Sequence, residues 1–319
     1  MPAAGYPLHT LRVAGIDRHD PLRAARALLL AARATGRARR LLRRVGADAV
    51  LGGGGYVAGP VGLAAGTLRL PLALTEADSH LGVTNRLLAP FARRVFLAFP
   101  LEGRGGSRYL VTGRPVPSGT EGGDREAARA LLGIAPDVAC VLVFGGSLGA
   151  RRLNFAAVDA FGSAAPGAVV HAAGQRDYED LRARLEELGS PDHYRLFPYI
   201  EPFAAALAAA DLAVARAGGS VFELAAAGLP AILVPYPHAT ADHQTTNARF
   251  MERAGAAAVI PDGELDGPRL AREVAALLGA PQRTAAMATA ALAVARPDAA
   301  ERIADELLAL ATSAEAVLP

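Results

Sequence analysis

Four stretches of this 319-residue chain combine residue types and spacings that can do chemistry. The first is Val141–Arg151, Val-Leu-Val-Phe-Gly-Gly-Ser-Leu-Gly-Ala-Arg, an apolar strand pattern that runs into glycines and then at once into a helix. Glycine lets the backbone approach a ligand closely, and the first N–H groups of a helix are open to an anion. The turn therefore reads as a phosphate cradle, with Ser147 adding a hydroxyl. A ligand-free strand-to-helix turn would use the same residues. The phosphate reading is favoured because this is the first strand–helix unit of its domain, where nucleotides commonly sit. It is not a Walker loop, since no Gly-Lys-Ser/Thr follows.

The second stretch, Asp211–Gly228, again feeds a strand into a glycine turn and a helix. Glu223 lies one turn inside that helix in apolar company. Its carboxylate can accept from two vicinal hydroxyls, as on a ribose, or simply cap the helix; the residues alone leave both open. The third, Pro235–Asn247, holds Gln244 and Asn247 three residues apart on one helix face, and amides suit a sugar's hydroxyls. His238, Asp242 and His243 in the same stretch lack the regular spacing of a metal site. The fourth, Gly52–Pro60, is a second cradle of backbone amides, now in the first half of the chain. Two domains facing a cleft, each with such a turn, would suit two phosphorylated substrates.

These turns need strands and helices to hold them. Short apolar runs at Leu8–Val13, Asp48–Leu51, Leu70–Thr75, Arg94–Ala98 and Tyr109–Val111 predict strands in the first half. Ala139–Phe144, Ala168–Ala172, Tyr194–Phe197, Asp211–Ala215, Ala231–Pro235 and Ala257–Ile260 predict six more. Helical patterns lie between them, which means parallel sheets covered on both faces. The turn-rich Thr112–Asp124 reads as a linker. The expected domains are 1–116 and 117–296, with 297–319 a terminal helix packing back toward the first.

Composition narrows the class. One cysteine, Cys140, excludes a disulfide framework and any multi-cysteine metal site. A chain 52% hydrophobic and 20% charged is not a disordered one. No apolar segment follows Met1, so no secretory signal is expected. The charge-free Ala49–Leu68 holds seven glycines and Pro60, which suits a strand, a loop and a short helix better than a membrane span. The net charge of +2 hides an asymmetry: residues 1–45 carry ten arginines against Asp17 and Asp20, and the remainder is acidic. The helix pattern Pro21–Arg44 sets eight of those arginines beside Leu22, Leu28, Leu29 and Leu30. It reads either as a basic amphipathic helix for an anionic membrane or as a surface helix whose leucines face the core. Few aromatics lie nearby for base stacking, which argues against nucleic acid.

Together, Asp48–Ala65, Gly82-Val-Thr-Asn-Arg-Leu-Leu-Ala89, Gly145-Gly-Ser-Leu-Gly-Ala-Arg-Arg-Leu-Asn154 and Asp242-His-Gln-Thr-Thr-Asn-Ala248 resemble the MurG family of N-acetylglucosaminyltransferases. The resemblance runs from about Gly5 to Leu310. It implies a GT-B fold of two Rossmann-like domains, no metal and no cofactor. It also implies inverting transfer of N-acetylglucosamine from UDP-N-acetylglucosamine to lipid-linked MurNAc-pentapeptide, at the cytoplasmic face of the cell membrane. Another GT-B enzyme, such as a nucleotide-sugar 2-epimerase or a glycolipid transferase, and a non-catalytic UDP-sugar-binding chain are the alternatives.

Carried over by position, Ser147 would touch the donor phosphates, Ile200 the uracil through its backbone and Glu223 the ribose. Gly218, Gly219 and Ser220 would line the diphosphate, with Gln244 and Asn247 on the sugar. Gly54, Gly55, Tyr56, Gly59, Glu76, Asp78 and Asn85 fall on the acceptor side. The basic leucine-bearing segment falls where the family meets the membrane.

This sequence departs from the family in places. The family's opening Gly-Thr-Gly-Gly-His loop has no counterpart here, since His9 matches a different position. The first domain is thus expected to be shortened, and no residue is assigned as the catalytic base. The family's His-Glu-Gln-Asn reads Thr75-Glu76-Ala77-Asp78. Its Asn-Pro-Val-Arg reads Arg114-Pro115-Val116-Pro117, losing a donor-side arginine, and the turn before Glu223 is one residue short.

Overall fold

The computed structural model describes residues 5–14, 20–146, 150–239 and 242–315. The chain forms two compact units: Met1–Gly113 with Asp298–Pro319, and Arg114–Pro297. The first holds α1 (Pro21–Arg44), β1 (Val50–Gly52), α2 (Gly55–Leu68), β2 (Leu72–Glu76), α3 (Val83–Leu88), β3 (Arg94–Leu97), β4 (Tyr109–Val111) and, from the end of the chain, α12 (Ala299–Glu315). Its sheet is parallel in the order β1-β2-β3-β4.

Strand alternation divides the side chains between the two faces of this sheet. Leu72, Leu74, Val95 and Leu97 pack with Ala65 and Leu88 on one face. Ala73 and Phe96 pack with Ile303 of α12 on the other. An Arg94–Glu306 ion pair, 2.7 Å long, pins α12 at the sheet margin. Leu8–Val13 is not a strand: residues 6–14 carry no regular structure. Alternating polarity makes a strand only where a ladder partner exists, and β1 is the edge of the described sheet.

The second unit holds α4 (Arg125–Leu131), β5 (Cys140–Phe144), α5 (Arg151–Phe161), β6 (Ala168–Ala172), α6 (Tyr178–Glu187), β7 (Tyr194–Phe197) and α7 (Phe203–Ala209). Then follow β8 (Leu212–Ala215), α8 (Val221–Ala226), β9 (Ala231–Leu233), α9 (His243–Arg253), β10 (Ala257–Val259), α10 (Gly267–Leu278) and α11 (Pro281–Val294). Its sheet is parallel in the order β10-β9-β8-β5-β6-β7. Every residue of β5 and β8 is buried, as expected of central strands covered by helices on both faces. The core joins Val141, Val143, Leu212 and Val214 of those strands to Leu153 and Phe161 of α5 and to Leu270 and Val274 of α10. Each such large side chain contributes roughly 1.5–3 kcal/mol by leaving water.

Helix α7 was not expected from the sequence, because its alanine-rich Phe203–Ala209 has little periodic contrast. Helix α1 corrects the core-facing reading at Leu28 and Leu29. Ala27, Ala34 and Ala38 form its buried stripe, while Leu28 and Leu29 are 59% and 53% exposed. Small residues at that spacing let α1 lie close on α2, with which it shares its main contacts.

Candidate active site

In the second unit the strand order reverses between β5 and β8, the place where parallel sheets open a crevice at their carboxyl ends. Phe144 lies opposite Ala215, so the turns leaving the two strands start side by side. After β5, a Cβ on Gly145 would collide with Ala150, and Gly146 takes φ 92°, so the turn closes as tightly as it does only with glycine. Ser147 lies outside the described residues. After β8 come Gly218, Gly219 and Ser220, and Glu223 follows in α8 between buried Phe222 and Leu224. Burial raises the Glu223 carboxyl above the ordinary range, and the nearby Arg114 guanidinium works against that rise. Ile200 is buried in the loop after β7.

The two amides of α9 part company. Gln244 Oε1 accepts from the Tyr236 N–H at 2.9 Å, which turns its NH₂ toward Gly218; a Cβ there would lie 3.9 Å from Nε2. Asn247 is buried, and its Nδ2 donates to the Ala217 carbonyl at 3.0 Å. Asn247 thus braces the β8 turn from beneath, while Gln244 faces it.

Two braces were invisible in the sequence because their members lie far apart along the chain. Arg216, at the end of β8, is buried; it donates to Asp262 Oδ1 at 2.6 Å and to the Val234 carbonyl at 3.1 Å, and stacks on Tyr236. It ties the β8 turn to the loop that holds Gln244. The other brace is a directional chain. Asn154 Nδ2 donates to Asp177 Oδ2 and to the Ala173 carbonyl, both acceptors, so its Oδ1 faces His171. His171 Nε2 must then donate to that oxygen, which leaves Nδ1 to accept from the Tyr194 hydroxyl at 2.8 Å. Asp177 in turn pairs with Arg151 and Arg176. The chain joins α5, which carries the first glycine turn, to β6 and β7.

A cavity of about 680 Å³ in this unit lies at the opposite, amino ends of β5, β8 and β9. Of its charged groups, Arg125 and Arg129 pair with Asp211, and Asp137 also lines it. Cys140 opens β5 buried, and burial pushes its thiol up to about 11, far from a nucleophile's range.

In the first unit Gly54 and Gly55 both take positive φ, 79° and 72°, which turns the chain from β1 directly into α2. Tyr56 is 69% exposed beside them. Gly59 faces α3, where its missing Cβ would meet Thr84 at 3.7 Å. Glu76 is buried and turned inward. Its oxygens accept from the N–H of Asp78 at 3.2 Å, the N–H of Gly82 at 2.8 Å and Asn85 Nδ2 at 2.9 Å. Asn85 is also buried and donates to the Thr75 carbonyl; its Oδ1 has no partner among the described residues. Glu76 and Asn85 therefore shape the loop beside Gly54, whereas Tyr56 is exposed to solvent.

Comparison with known proteins decides what these turns belong to. Residues 140–303 match the glycosyltransferase family 28 C-terminal domain, and residues 1–97 match the family 28 N-terminal domain. The UDP-N-acetylglucosamine–N-acetylmuramyl-(pentapeptide) pyrophosphoryl-undecaprenol N-acetylglucosamine transferase of Moorella thermoacetica is 40% identical over 322 residues, 97% of this chain and 86% of that protein. The crystal structure of Acinetobacter baumannii MurG matches with a TM-score of 0.76 and 30% identity, over 96% of this chain and 86% of that one.

This chain belongs to the MurG family.

Its two parallel-sheet domains are the GT-B fold of MurG. A putative UDP-N-acetylglucosamine 2-epimerase of Listeria monocytogenes, at 19% identity and a TM-score of 0.68 over 91% of this chain and 80% of that one, shares that fold alone. Against the MurG motifs, the reading of Arg114-Pro115-Val116-Pro117 as a lost arginine missed where Arg114 itself goes: its guanidinium lies against Gly219. No signal in the sequence could have placed it, because Arg114 and Gly219 meet only in space.

Proposed function

We propose that this chain transfers N-acetylglucosamine from UDP-N-acetylglucosamine to the 4-hydroxyl of MurNAc in undecaprenyl-pyrophosphoryl-MurNAc-pentapeptide, inverting the anomeric carbon. The observation that carries this reading is the pairing of the β5 and β8 glycine turns at the sheet's switch point, with Glu223 and Gln244 beside them. In this reading Glu223 accepts from the ribose hydroxyls, and the amides of the two turns face the diphosphate. The acceptor hydroxyl displaces UDP directly. Negative charge grows on the departing diphosphate, so fixed amides there favour the transition state over the ground state. Gly54, Gly55 and Tyr56 serve the acceptor, on a loop shaped by Glu76 and Asn85. With UDP-N-acetylglucosamine and the lipid-linked acceptor, the purified chain is expected to release one UDP per hexosamine transferred. Conversion of the free sugar nucleotide to its 2-epimer without transfer would overturn the reading.

The membrane part of the proposal rests on α1. No helix among the described residues is long and apolar enough to cross a membrane. Exposed Leu28 and Leu29 share the outer side of α1 with Arg33, Arg37 and Arg40, an arrangement suited to lying on an anionic surface. The double variant Leu28→Asp, Leu29→Asp is expected to lower binding to phosphatidylglycerol vesicles roughly tenfold or more, since two apolar anchors are lost and two repulsive charges gained. Equal cosedimentation of variant and parent would remove α1 from the membrane face.

A further inference from the structure

The donor-side arginine that this sequence lacks at Pro117 has a substitute that the chain brings in from another position. Arg114 is the first residue of the second unit. Its guanidinium packs so closely on Gly219 that a Cβ at that position would overlap it. Among the described residues Arg114 has no hydrogen-bond or ion-pair partner, which distinguishes it from the buried Arg129 and Arg216. A guanidinium lying against bare backbone near the half-buried Glu223 carboxylate, with no bonded partner among the described residues, is a cation available to a ligand. The second donor aimed at the same turn is the Gln244 NH₂, which the Tyr236 N–H orients toward Gly218. Two donor groups thus converge on Gly218–Gly219 from different elements, near Glu223, whose carboxylate Arg114 helps to keep charged.

We propose that Arg114 binds the diphosphate of the sugar nucleotide at the Gly218–Gly219 turn and holds the charge that develops on departing UDP. This rests on the UDP-sugar reading of the second unit and extends it to a residue outside the motifs that carry that reading. A planar guanidinium can give two parallel N–H···O bonds to a phosphate, which makes it a stronger and more directional partner than a single amide. The short turn before Glu223 and the arginine at 114 are both departures from the family pattern, and they meet at one point: the bare Gly219 leaves the space that the guanidinium fills.

The test is calorimetric titration of the full chain with UDP, UMP and uridine, comparing the parent with Arg114→Ala and Arg114→Lys. Arg114→Ala is expected to weaken UDP roughly ten- to a hundredfold, the range of a hydrogen-bonded charge pair, while uridine changes less than about twofold. Arg114→Lys, which keeps the charge but not the fork, should recover part of the loss, and it carries the test should the alanine variant fold poorly. Unchanged UDP affinity in Arg114→Ala overturns the proposal. So does an equal loss for uridine and UDP, because Arg114 would then act only through Glu223 or through the loop. A parent that binds uridine no more weakly than UDP has no diphosphate subsite, and again the proposal fails while the nucleoside site stands. A parent that binds none of the three removes the donor reading itself.

Discussion

Replacing Glu223 by alanine is expected to lower UDP affinity about a hundredfold. A carboxylate that accepts from both hydroxyls of a ribose makes two charge-assisted hydrogen bonds, each contributing about 1.5–3 kcal/mol, offset by the cost of drying the ribose and the carboxylate. A net loss near 2.7 kcal/mol corresponds to that factor. The environment makes Glu223 costly to keep charged without a ligand: Phe222 and Leu224 beside it are buried, and burial raises its carboxyl above the ordinary range. Accepting from the ribose favours the ionised form. UDP affinity should therefore fall as pH drops through that raised value, earlier than an ordinary glutamate would require, and this pH dependence should vanish in Glu223→Ala. Titrating parent and variant with UDP and with 2′,3′-dideoxy-UDP isolates the contact. The variant should no longer distinguish the two ligands, and a variant that still prefers the ribose would detach Glu223 from it.

The second large effect is on stability. His171 is fully buried, and burial lowers its pKa from the ordinary 6.5 to about 3. The folded chain therefore keeps the ring neutral, donating through Nε2 to Asn154 and accepting at Nδ1 from Tyr194. The unfolded chain takes up a proton as pH falls below 6.5, and the folded chain does so only near 3. The stability present above pH 6.5 is thus lost progressively across that window, by about 1.4 kcal/mol per pH unit from this one ring. The total by pH 3 is on the order of 5 kcal/mol, comparable to the whole stability of many domains. Urea unfolding of the parent and of His171→Gln at pH 7.5, 6 and 5 separates this from the carboxylates. The parent should lose stability faster than the variant over that range. Parallel losses would mean that His171 is not held neutral.

Much of this organisation is legible along the chain because it is local. Ala139–Phe144 and Asp211–Ala215 read as buried strands because a strand covered on both faces has no polar side to alternate with, and the structure forms them over Cys140–Phe144 and Leu212–Ala215. Gly145–Gly146 and Gly218–Gly219 read as turns because paired glycines between an apolar strand and a helix free the backbone to bend; closure that only glycine permits is seen at Gly145–Gly146. The same locality explains the errors. Leu8–Val13 is an apolar run without a ladder partner among the described residues, and of the two readings open for the α1 leucines the core-facing one fails at Leu28 and Leu29, because Ala27, Ala34 and Ala38 form the buried face. Glu76 and Asn85 have the chemistry of ligand contacts, but the fold spends their hydrogen bonds on its own loop.

What the sequence by itself determined is the order of strand, glycine turn and helix in each half, because backbone conformation and burial pattern are set by residues within a few positions of one another. The tertiary structure alone decided which polar groups are left to face those turns. Asn154, His171, Tyr194 and Asp177 become one relay, Arg216 finds Asp262, and Arg114 reaches Gly219 only when strands distant in sequence stand side by side. A hydrogen bond depends on separation in space to within a few tenths of an ångström, and separation along the chain carries no such information.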